Sequence, residues 1–511
     1  MRALVLPPGD RVAVVAGAVL TVLAYPPFHL FFPSFLCLVP AVLLIVRGNE
    51  DPLPLRRQLV AGWWFGVGSQ GLVLYWMVVA LWHFTPLSAA GYAATVLILA
   101  LWMAILFAAT GWVTRRLGPG LVIVFPVMWT AVEWAIGHQS DIRFPWLGLG
   151  TSLTGFPTVV QIAEVIGARG VTFALVAANA ALGLAWIHRH NRRRAASLVL
   201  AVAAGIAIAT VYGMARIRAL SLRPLGAVAA IQPAIGFDEK WEAANRERIV
   251  DGLFELSQRA VVEAHPALIV WPEAALPHAL DYFPPWEQRL TEHAQRAGVP
   301  LVVGGIDVRP FADGSPEFFN AAFVFEASGR RHPTPYHKKY LVPIVERVPF
   351  VNPRWFSSLR WFGAFGVGAP GSVYQVPMGR FGILICYESA FEDLSRRYRR
   401  QGADFIVNIT NDAWFGNTSA PYQHAAHLVM RAIENRVGIA RSANTGISQF
   451  VDPLGRTHQS TRLGERTLVV GEVMTTDVRT VYTRLGDWVG TLSVATTLLL
   501  LGAAWWRRPR P

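Results

Sequence analysis

Three side chains in this sequence could together perform acyl chemistry: Glu273, Lys338 and Cys386. Cys386 follows the β-branched run Phe381–Ile385 and precedes a helix-like stretch that begins at Glu388. A thiol in a strand-to-helix turn is held at a sheet edge. Nearby helix N–H groups lower its pKa and can bind an oxyanion, which predicts a nucleophile. The plainer alternative is an inert buried cysteine. Glu273 ends Ala-Leu-Ile-Val-Trp-Pro-Glu, and a carboxylate partly desolvated beside Trp271 and Pro272 suits proton transfer. Taken alone it reads equally as a solvated loop residue. Lys338 lies in Pro335-Tyr-His-Lys-Lys-Tyr-Leu-Val-Pro343, where an ammonium could stabilise a thiolate and a tetrahedral oxyanion. Lys339 beside it shows how little one lysine says alone. The other cysteine, Cys37, sits in an apolar run and reads as a small buried hydrophobe, leaving Cys386 as a free thiol.

The elements that must position these groups fall into two classes. Residues 224–483 alternate short apolar runs with amphipathic stretches. Strands are expected at Val228–Ile231, Ala267–Trp271, Leu301–Val303, Phe381–Ile385 and Phe405–Asn408, and helices at Glu242–Ala264, Trp286–Ala297 and Ser389–Gln401. That alternation predicts a layered α/β domain.

The remainder reads as membrane. The chain has 511 residues, of which 53% are hydrophobic and only 15% charged, against about 25% charged in ordinary soluble domains. Runs near the bilayer-spanning length of about 20 residues occur around 11–26, 30–46, 58–82, 88–113, 119–137, 160–187, 196–214 and 487–506. Pro26 and Pro27 stand where a signal peptide would carry a small-residue cleavage site, so the first run is expected to be retained. Arginines cluster at 2 and 11, at 47, 56 and 57, at 115 and 116, at 189 and 192–194, and at 507, 508 and 510. With eight spans all of these clusters fall on one side. The positive-inside rule makes that side cytoplasmic, with both termini, and puts the α/β block outside the inner membrane. The net charge of +13 lies in these clusters, which suits anionic lipid headgroups; no zinc-finger spacing, phosphate loop or basic stripe points to nucleic acid.

Order and motif narrow the reading. Trp-Pro-Glu at 271–273, Tyr-His-Lys before Leu-Val-Pro at 336–343 and Cys-Tyr-Glu at 386–388 follow the order of the nitrilase superfamily's Glu, Lys and Cys. Thr410-Asn-Asp-Ala-Trp-Phe415, Arg431-Ala-Ile-Glu-Asn-Arg436, Arg441-Ser-Ala-Asn-Thr-Gly446, Thr483-Arg-Leu-Gly-Asp-Trp488 and Phe144-Pro-Trp-Leu147 resemble the apolipoprotein N-acyltransferase family. The resemblance covers essentially the whole chain. It implies eight transmembrane helices plus an α/β nitrilase-like domain built as an α-β-β-α sandwich. Seven helices would lie in 1–218, a periplasmic catalytic domain in 219–484, and the last helix with a cytoplasmic tail in 485–511.

The resemblance also implies roles: Cys386 as nucleophile, Glu273 as general base and Lys338 as oxyanion stabiliser. Trp241, Asn320, Glu346, Tyr387, Glu388 and Trp414 would bind substrate or support the site. The implied donor is a phospholipid, the acceptor a diacylglyceryl apolipoprotein, and no metal or cofactor is required. Val345 stands where the family usually has Gly before its second glutamate, so the Glu346 loop departs from the pattern. Two rivals are a membrane-anchored amidase that passes the acyl group to water, and a receptor or transporter with an inactive outer domain.

Other residues read more plainly. His424 and His427 have the i, i+3 spacing of a ligand pair but lack an evident third ligand. His188 and His190 are expected to be solvated. Glu133, Glu164 and Arg169 fall in or near spans, where ionisable groups are costly and read equally as functional or as structurally paired near the interface. Gly304-Gly305 follows a strand with no phosphate-binding loop after it. The aromatic segment Trp355-Phe356…Trp361-Phe362 reads either as an interfacial arm that admits acyl chains to Cys386 or as a buried loop of the α/β domain.

Overall fold

The computed structural model describes residues 5–48, 50–82, 88–118, 120–310, 314–351, 365–369 and 371–507. The aromatic arm at 355–362 lies outside the described residues. Two compact units emerge, one made of 1–219 with 485–511 and the other of 220–484.

The first unit is helical. Among the described residues, four helices are long and apolar enough to cross a membrane: Ser88–Leu117, Ala163–Ile187, Arg192–Ala219 and Trp488–Trp506. A fifth span results if Leu55–Val73 and Trp76–Trp82, bent by 59°, are counted together. Three expected spans are shorter, the first of them Pro8–Ala24 with 17 residues. The 30–46 run is divided into Phe31–Leu36 and Val39–Ile45, with Pro40 at the start of the second helix, where a missing N–H costs nothing. Leu121–Gly137 has 17 residues and accommodates Pro126 internally. Arg192–Ala219 is apolar, yet only Gly213 among its residues is buried, as suits a helix solvated by lipid chains.

His188 is buried rather than solvated, with Nε2 3.5 Å from Glu50, while His190 is exposed. Glu164 pairs with Arg216 at 2.5 Å and Arg169 with Asp487 at 2.6 Å. Glu133 accepts hydrogen bonds from the Leu149 N–H and the Thr172 hydroxyl.

The second unit contains two six-stranded sheets. One runs, in spatial order, Thr467–Thr475, Arg223–Gln232, Leu268–Val270, Leu301–Pro310, Pro316–Phe325 and Tyr336–His337. The other runs Thr457–His458, Gln449–Val451, Gly438–Ala443, Phe405–Thr410, Gly379–Ile385 and Tyr374–Val376. The sheets pack face to face. Ser442 Oγ donates to the Ile231 carbonyl, and a Cβ on Gly438 would lie 2.1 Å from the Met474 oxygen, so only glycine allows this approach. On the outer side of the first sheet, Ile249, Leu253 and Leu256 of Arg246–Ala264 and Leu290 of Pro284–Ala297 pack on Ile269, Leu301 and Phe323. Glu392–Arg400 and Ala420–Asn435 accompany the second sheet. The result is an α-β-β-α sandwich.

The strands expected from β-branched runs are present, several of them longer than expected. Pro316–Phe325, which pairs along its whole length with Leu301–Pro310, lies outside those expectations. Two helices start later than their patterns suggest. Glu242 is extended and Ala243–Asn245 is a 3₁₀ turn, so the helix expected from Glu242 begins at Arg246, after the short helix Phe237–Trp241. Ser389 belongs to the turn Cys386–Ala390, and the following helix begins at Glu392.

Candidate active site

Each of the three residues sits just beyond a strand. Glu273 follows Leu268–Val270, with Ala274 next to it at φ 47°. In the neighbouring strand a Cβ on Gly304 would lie 2.1 Å from the Pro272 carbonyl, so Gly304 serves close backbone approach beside Glu273. Lys338 follows Tyr336–His337, and its N–H bonds to the Asn320 carbonyl. Cys386 follows Gly379–Ile385 at φ 51°. A left-handed backbone at a non-glycine residue costs on the order of 1 kcal/mol and is concentrated at functional sites. It turns the chain sharply enough to end the strand and start the 3₁₀ turn Cys386–Ala390.

The three groups and two supporting residues converge. Lys338 Nζ lies 3.1 Å from Glu273 Oε1 and 2.9 Å from Glu346 Oε1, with all three side chains buried. Asn320 Nδ2 donates to the same two oxygens at 2.7 and 2.8 Å. The Asn411 N–H donates to Glu273 Oε2, and the Val342 N–H to Glu346 Oε2, both at 2.8 Å. Glu346 therefore occupies the site despite Val345. The left-handed residue of that loop is Ile344, at φ 70°, so position 345 does not need glycine.

Electrostatics revise one expectation. Burial pushes the Cys386 thiol well above its ordinary pKa, and the Glu273 carboxylate adds to the effect; Lys338 opposes both. The resting group is thus a thiol rather than a turn-stabilised thiolate. Burial also works against the Lys338 ammonium, but the Glu273 and Glu346 carboxylates outweigh it and hold the lysine well above its usual range.

Glu388 ties the pieces together. Its Oε2 accepts from the Ile385 N–H at 2.7 Å, and its Oε1 from the Tyr336 hydroxyl, the Lys339 N–H and the Tyr340 N–H. One carboxyl group thereby joins the Cys386 turn to the segment bearing Lys338. Burial raises its pKa to about 7 against these hydrogen bonds. Tyr387 is buried with its ring edge-on to Phe391, 5.1 Å away, and Phe391 stacks on Tyr340. Trp414 is half-buried and donates from Nε1 to the Asn411 carbonyl. Trp241 is 44% exposed, unlike the rest of the group.

His424 is part of a buried network rather than a ligand pair. Its Nδ1 lies 2.9 Å from Asp412 Oδ1, and Arg441 Nη2 lies 2.9 Å from Asp412 Oδ2. Burial disfavours the Asp412 carboxylate, but His424 and Arg441 prevail and hold it down to about 2. No cluster of three or more metal-ligating side chains occurs among the described residues. Sequence reasoning assigned no role to Asn411, Asp412 or Lys240. The first two lie in the Thr410–Phe415 motif, whose polar run directly after a strand was the available signal. Lys240 looks like a surface lysine in Asp-Glu-Lys-Trp, yet it is 1% exposed, with Nζ 3.4 Å from the Glu273 carbonyl.

The comparisons with known proteins agree with this geometry. A family model described as carbon-nitrogen hydrolase matches residues 227–482, and one described as apolipoprotein N-acyltransferase N-terminal domain matches 17–181. The apolipoprotein N-acyltransferase of Geobacter metallireducens is 30% identical, over 98% of this chain and 96% of its own. That of Brucella melitensis is 32% identical, over 95% of this chain and 93% of its own. The chain belongs to the apolipoprotein N-acyltransferase family. Both units fall within that similarity, so this is an acyltransferase of bacterial membranes, with the carbon-nitrogen hydrolase sandwich as its α/β unit. In Chlorobaculum tepidum the family member is 29% identical over 94% of this chain.

Proposed function

We propose that the chain N-acylates the α-amine of an apolipoprotein's N-terminal diacylglyceryl-cysteine, in two half-reactions through a thioester on Cys386. Glu273 is the base. Its Oε1 accepts from Lys338 and Asn320, while Oε2 accepts from Asn411 alone among the described residues. A carboxylate oxygen has two acceptor sites, so one remains on Oε2 for the thiol proton. Because burial keeps the thiol protonated, proton removal must accompany attack, which is general-base catalysis. Lys338 spends two of its three N–H donors on Glu273 and Glu346, and the third is left for an oxyanion.

In the first half-reaction the sulfur attacks the acyl ester carbonyl of a phospholipid and Glu273 takes the thiol proton. Lys338 and backbone N–H groups beside the thiol stabilise the oxyanion. The ester C–O bond breaks, the lysophospholipid oxygen takes the proton from Glu273, and the acyl group stays on sulfur. In the second, the amine nitrogen attacks the thioester, the C–S bond breaks and an amide forms. Glu273 carries the nitrogen's proton back to sulfur. Splitting one hard transfer into two easier ones is the gain from covalent catalysis. Asn320 and Glu346 orient Lys338. Glu388 and Tyr387 hold the Cys386 turn, Trp414 steadies the Asn411 segment, and Trp241 meets substrate at the mouth.

The observation that carries this reading is the convergence of buried Glu273 and Lys338 with a thiol at a left-handed turn, in a chain similar along its length to N-acyltransferases. With phospholipid and no acceptor, Cys386 should gain one acyl chain that hydroxylamine removes, seen by intact mass spectrometry. Cys386→Ser should remain unacylated, and normal turnover by that variant would sink the nucleophile assignment. Hydrolysis in place of transfer would favour the amidase alternative.

Eight spans, an inner-membrane location, a periplasmic α/β unit and cytoplasmic termini complete the proposal, on the strength of the arginine clusters. Reporter fusions after Arg193 should read cytoplasmic and those near Gly314 periplasmic. A cytoplasmic signal at Gly314 would overturn the topology.

A further inference from the structure

The two half-reactions balance in protons only for an uncharged acceptor amine. Glu273 recycles a single proton between sulfur, the leaving oxygen and the amine. The acceptor's α-amine, with an ordinary pKa near 8, arrives mainly as an ammonium at neutral pH. It must lose one more proton before its lone pair can attack. Each turnover therefore releases one proton that the Glu, Lys and Cys groups do not absorb.

One buried titratable group beside them has no part in the mechanism so far. Lys240 is 1% exposed and lies next in sequence to half-exposed Trp241, with Nζ 5.7 Å from that ring's centre. Among the described residues, its side chain makes one hydrogen bond, a long 3.4 Å contact to the Glu273 carbonyl oxygen. An ammonium carries three donors, and burying one with a single weak acceptor is costly. A neutral amine there leaves far less unsatisfied. Glu273 is the ionisable group that acts on it; the nearby Glu239 carboxylate is engaged by Arg248 and the Gly236 N–H. Burial lowers the Lys240 pKa to about 8, against the pull of Glu273. That value matches the α-amine it would serve.

We propose that Lys240 is a second base, which takes the proton from the acceptor's α-ammonium as it enters past Trp241 and passes it to solvent. The step is R–NH₃⁺ plus the Lys240 amine giving R–NH₂ plus the Lys240 ammonium, with no other bond changed. Glu273 is left to serve the sulfur. The inference rests on the two-step reading above and extends it to the acceptor's charge state.

The test uses the full chain in detergent with phospholipid, following thioester formation and its transfer to a diacylglyceryl lipopeptide by mass spectrometry. In Lys240→Met, the ratio of transfer rate to acylation rate should fall about twofold at pH 7, because about one α-amine in ten is already uncharged there and Lys240, at about 8, is neutral in about one molecule in ten. The deficit should close as pH rises to about 9. Lys240→Arg keeps the charge but cannot offer a neutral base, and it should show the same deficit. Hydroxylamine, uncharged at neutral pH, should discharge the thioester of parent and variants alike. A deficit that persists at high pH, or that extends to hydroxylamine, would assign Lys240 a structural role and overturn the proposal, as would full transfer by Lys240→Arg at pH 7. Absence of any thioester on the parent enzyme would defeat the two-step reading. A normal thioester with unchanged transfer in both variants would defeat only the role of Lys240.

Discussion

The helical unit and the α/β unit both bury charge, but they settle it differently. In the helical unit Asp10 is met by Arg47 and Arg57 at 2.7 and 2.6 Å, Glu164 by Arg216, and Asp487 by Arg169. In these pairs the cation is arginine, which is permanently charged and matches a carboxylate with a planar fork. Acid and base are there in balance or with cation in excess. In the α/β unit two buried carboxylates share one lysine, whose third donor has no partner among the described residues. A carboxylate held by a permanently charged arginine fastens helices together. An acid-rich cluster around a compact ammonium remains able to bind new negative charge and to accept a proton. The choice between arginine and lysine separates fastening from chemistry.

The sharpest way to break that contrast is Lys338→Arg, which preserves charge and removes the compact, rotatable ammonium. Thioester formation should fall by about 10³-fold, the scale of losing an oxyanion donor, while the protein remains folded in detergent. Retention of activity would make the distinction empty.

Next comes a stability effect tied to pH. Glu388 is raised in the folded protein to about 7, against about 4.3 when unfolded. The folded state then binds more protons between those values, so stability from this group is present below about pH 4.3 and is lost as pH rises to 7. The span corresponds to about 4 kcal/mol. Asp412 has the opposite sign: held down to about 2, it contributes above about pH 4 and loses that contribution as pH falls through 2. Denaturation in detergent at pH 5 and 7.5 should show Glu388→Gln flattening the difference seen in the parent. An unchanged difference would show that its hydrogen bonds already compensate for burial.

Glu346→Gln removes one of the two carboxylates and should slow thioester formation by about 10²-fold, the lower end for a group acting on proton and charge transfer. Glu346 also raises the Cys386 pKa. Iodoacetamide labelling of Cys386 at neutral pH should therefore quicken in this variant even as turnover drops. Slower labelling would mean that the acid excess does not control the thiol.

The smallest effect is expected in the helical unit. Arg169→Lys keeps a cation opposite Asp487 but gives up the fork, and should lower stability by about 1 kcal/mol without altering iodoacetamide labelling of Cys386. A change in labelling would tie that pair to the chemistry.

Much of this molecule was already written along the chain. Apolar runs, arginine clusters and β-branched strands are local patterns, because a helix or strand is chosen over a few residues by side-chain periodicity. The order of Trp-Pro-Glu, Tyr-His-Lys and Cys-Tyr-Glu marks the family, and Glu346 and Asn320 were legible through their place in it. The breaks were less legible. Two helices within 30–46, the bend between Leu55–Val73 and Trp76–Trp82, and the strand Pro316–Phe325 depend on what packs beside them. Only the tertiary structure decided that Lys338 meets a carboxylate 65 positions away, that Cys386 adopts a left-handed backbone, and that Lys240, in a stretch as polar as any surface, is buried against Glu273. The reason is physical: burial and long-range pairing set the charge state of an ionisable group, and both depend on the packing of segments distant in sequence, which local patterning does not encode.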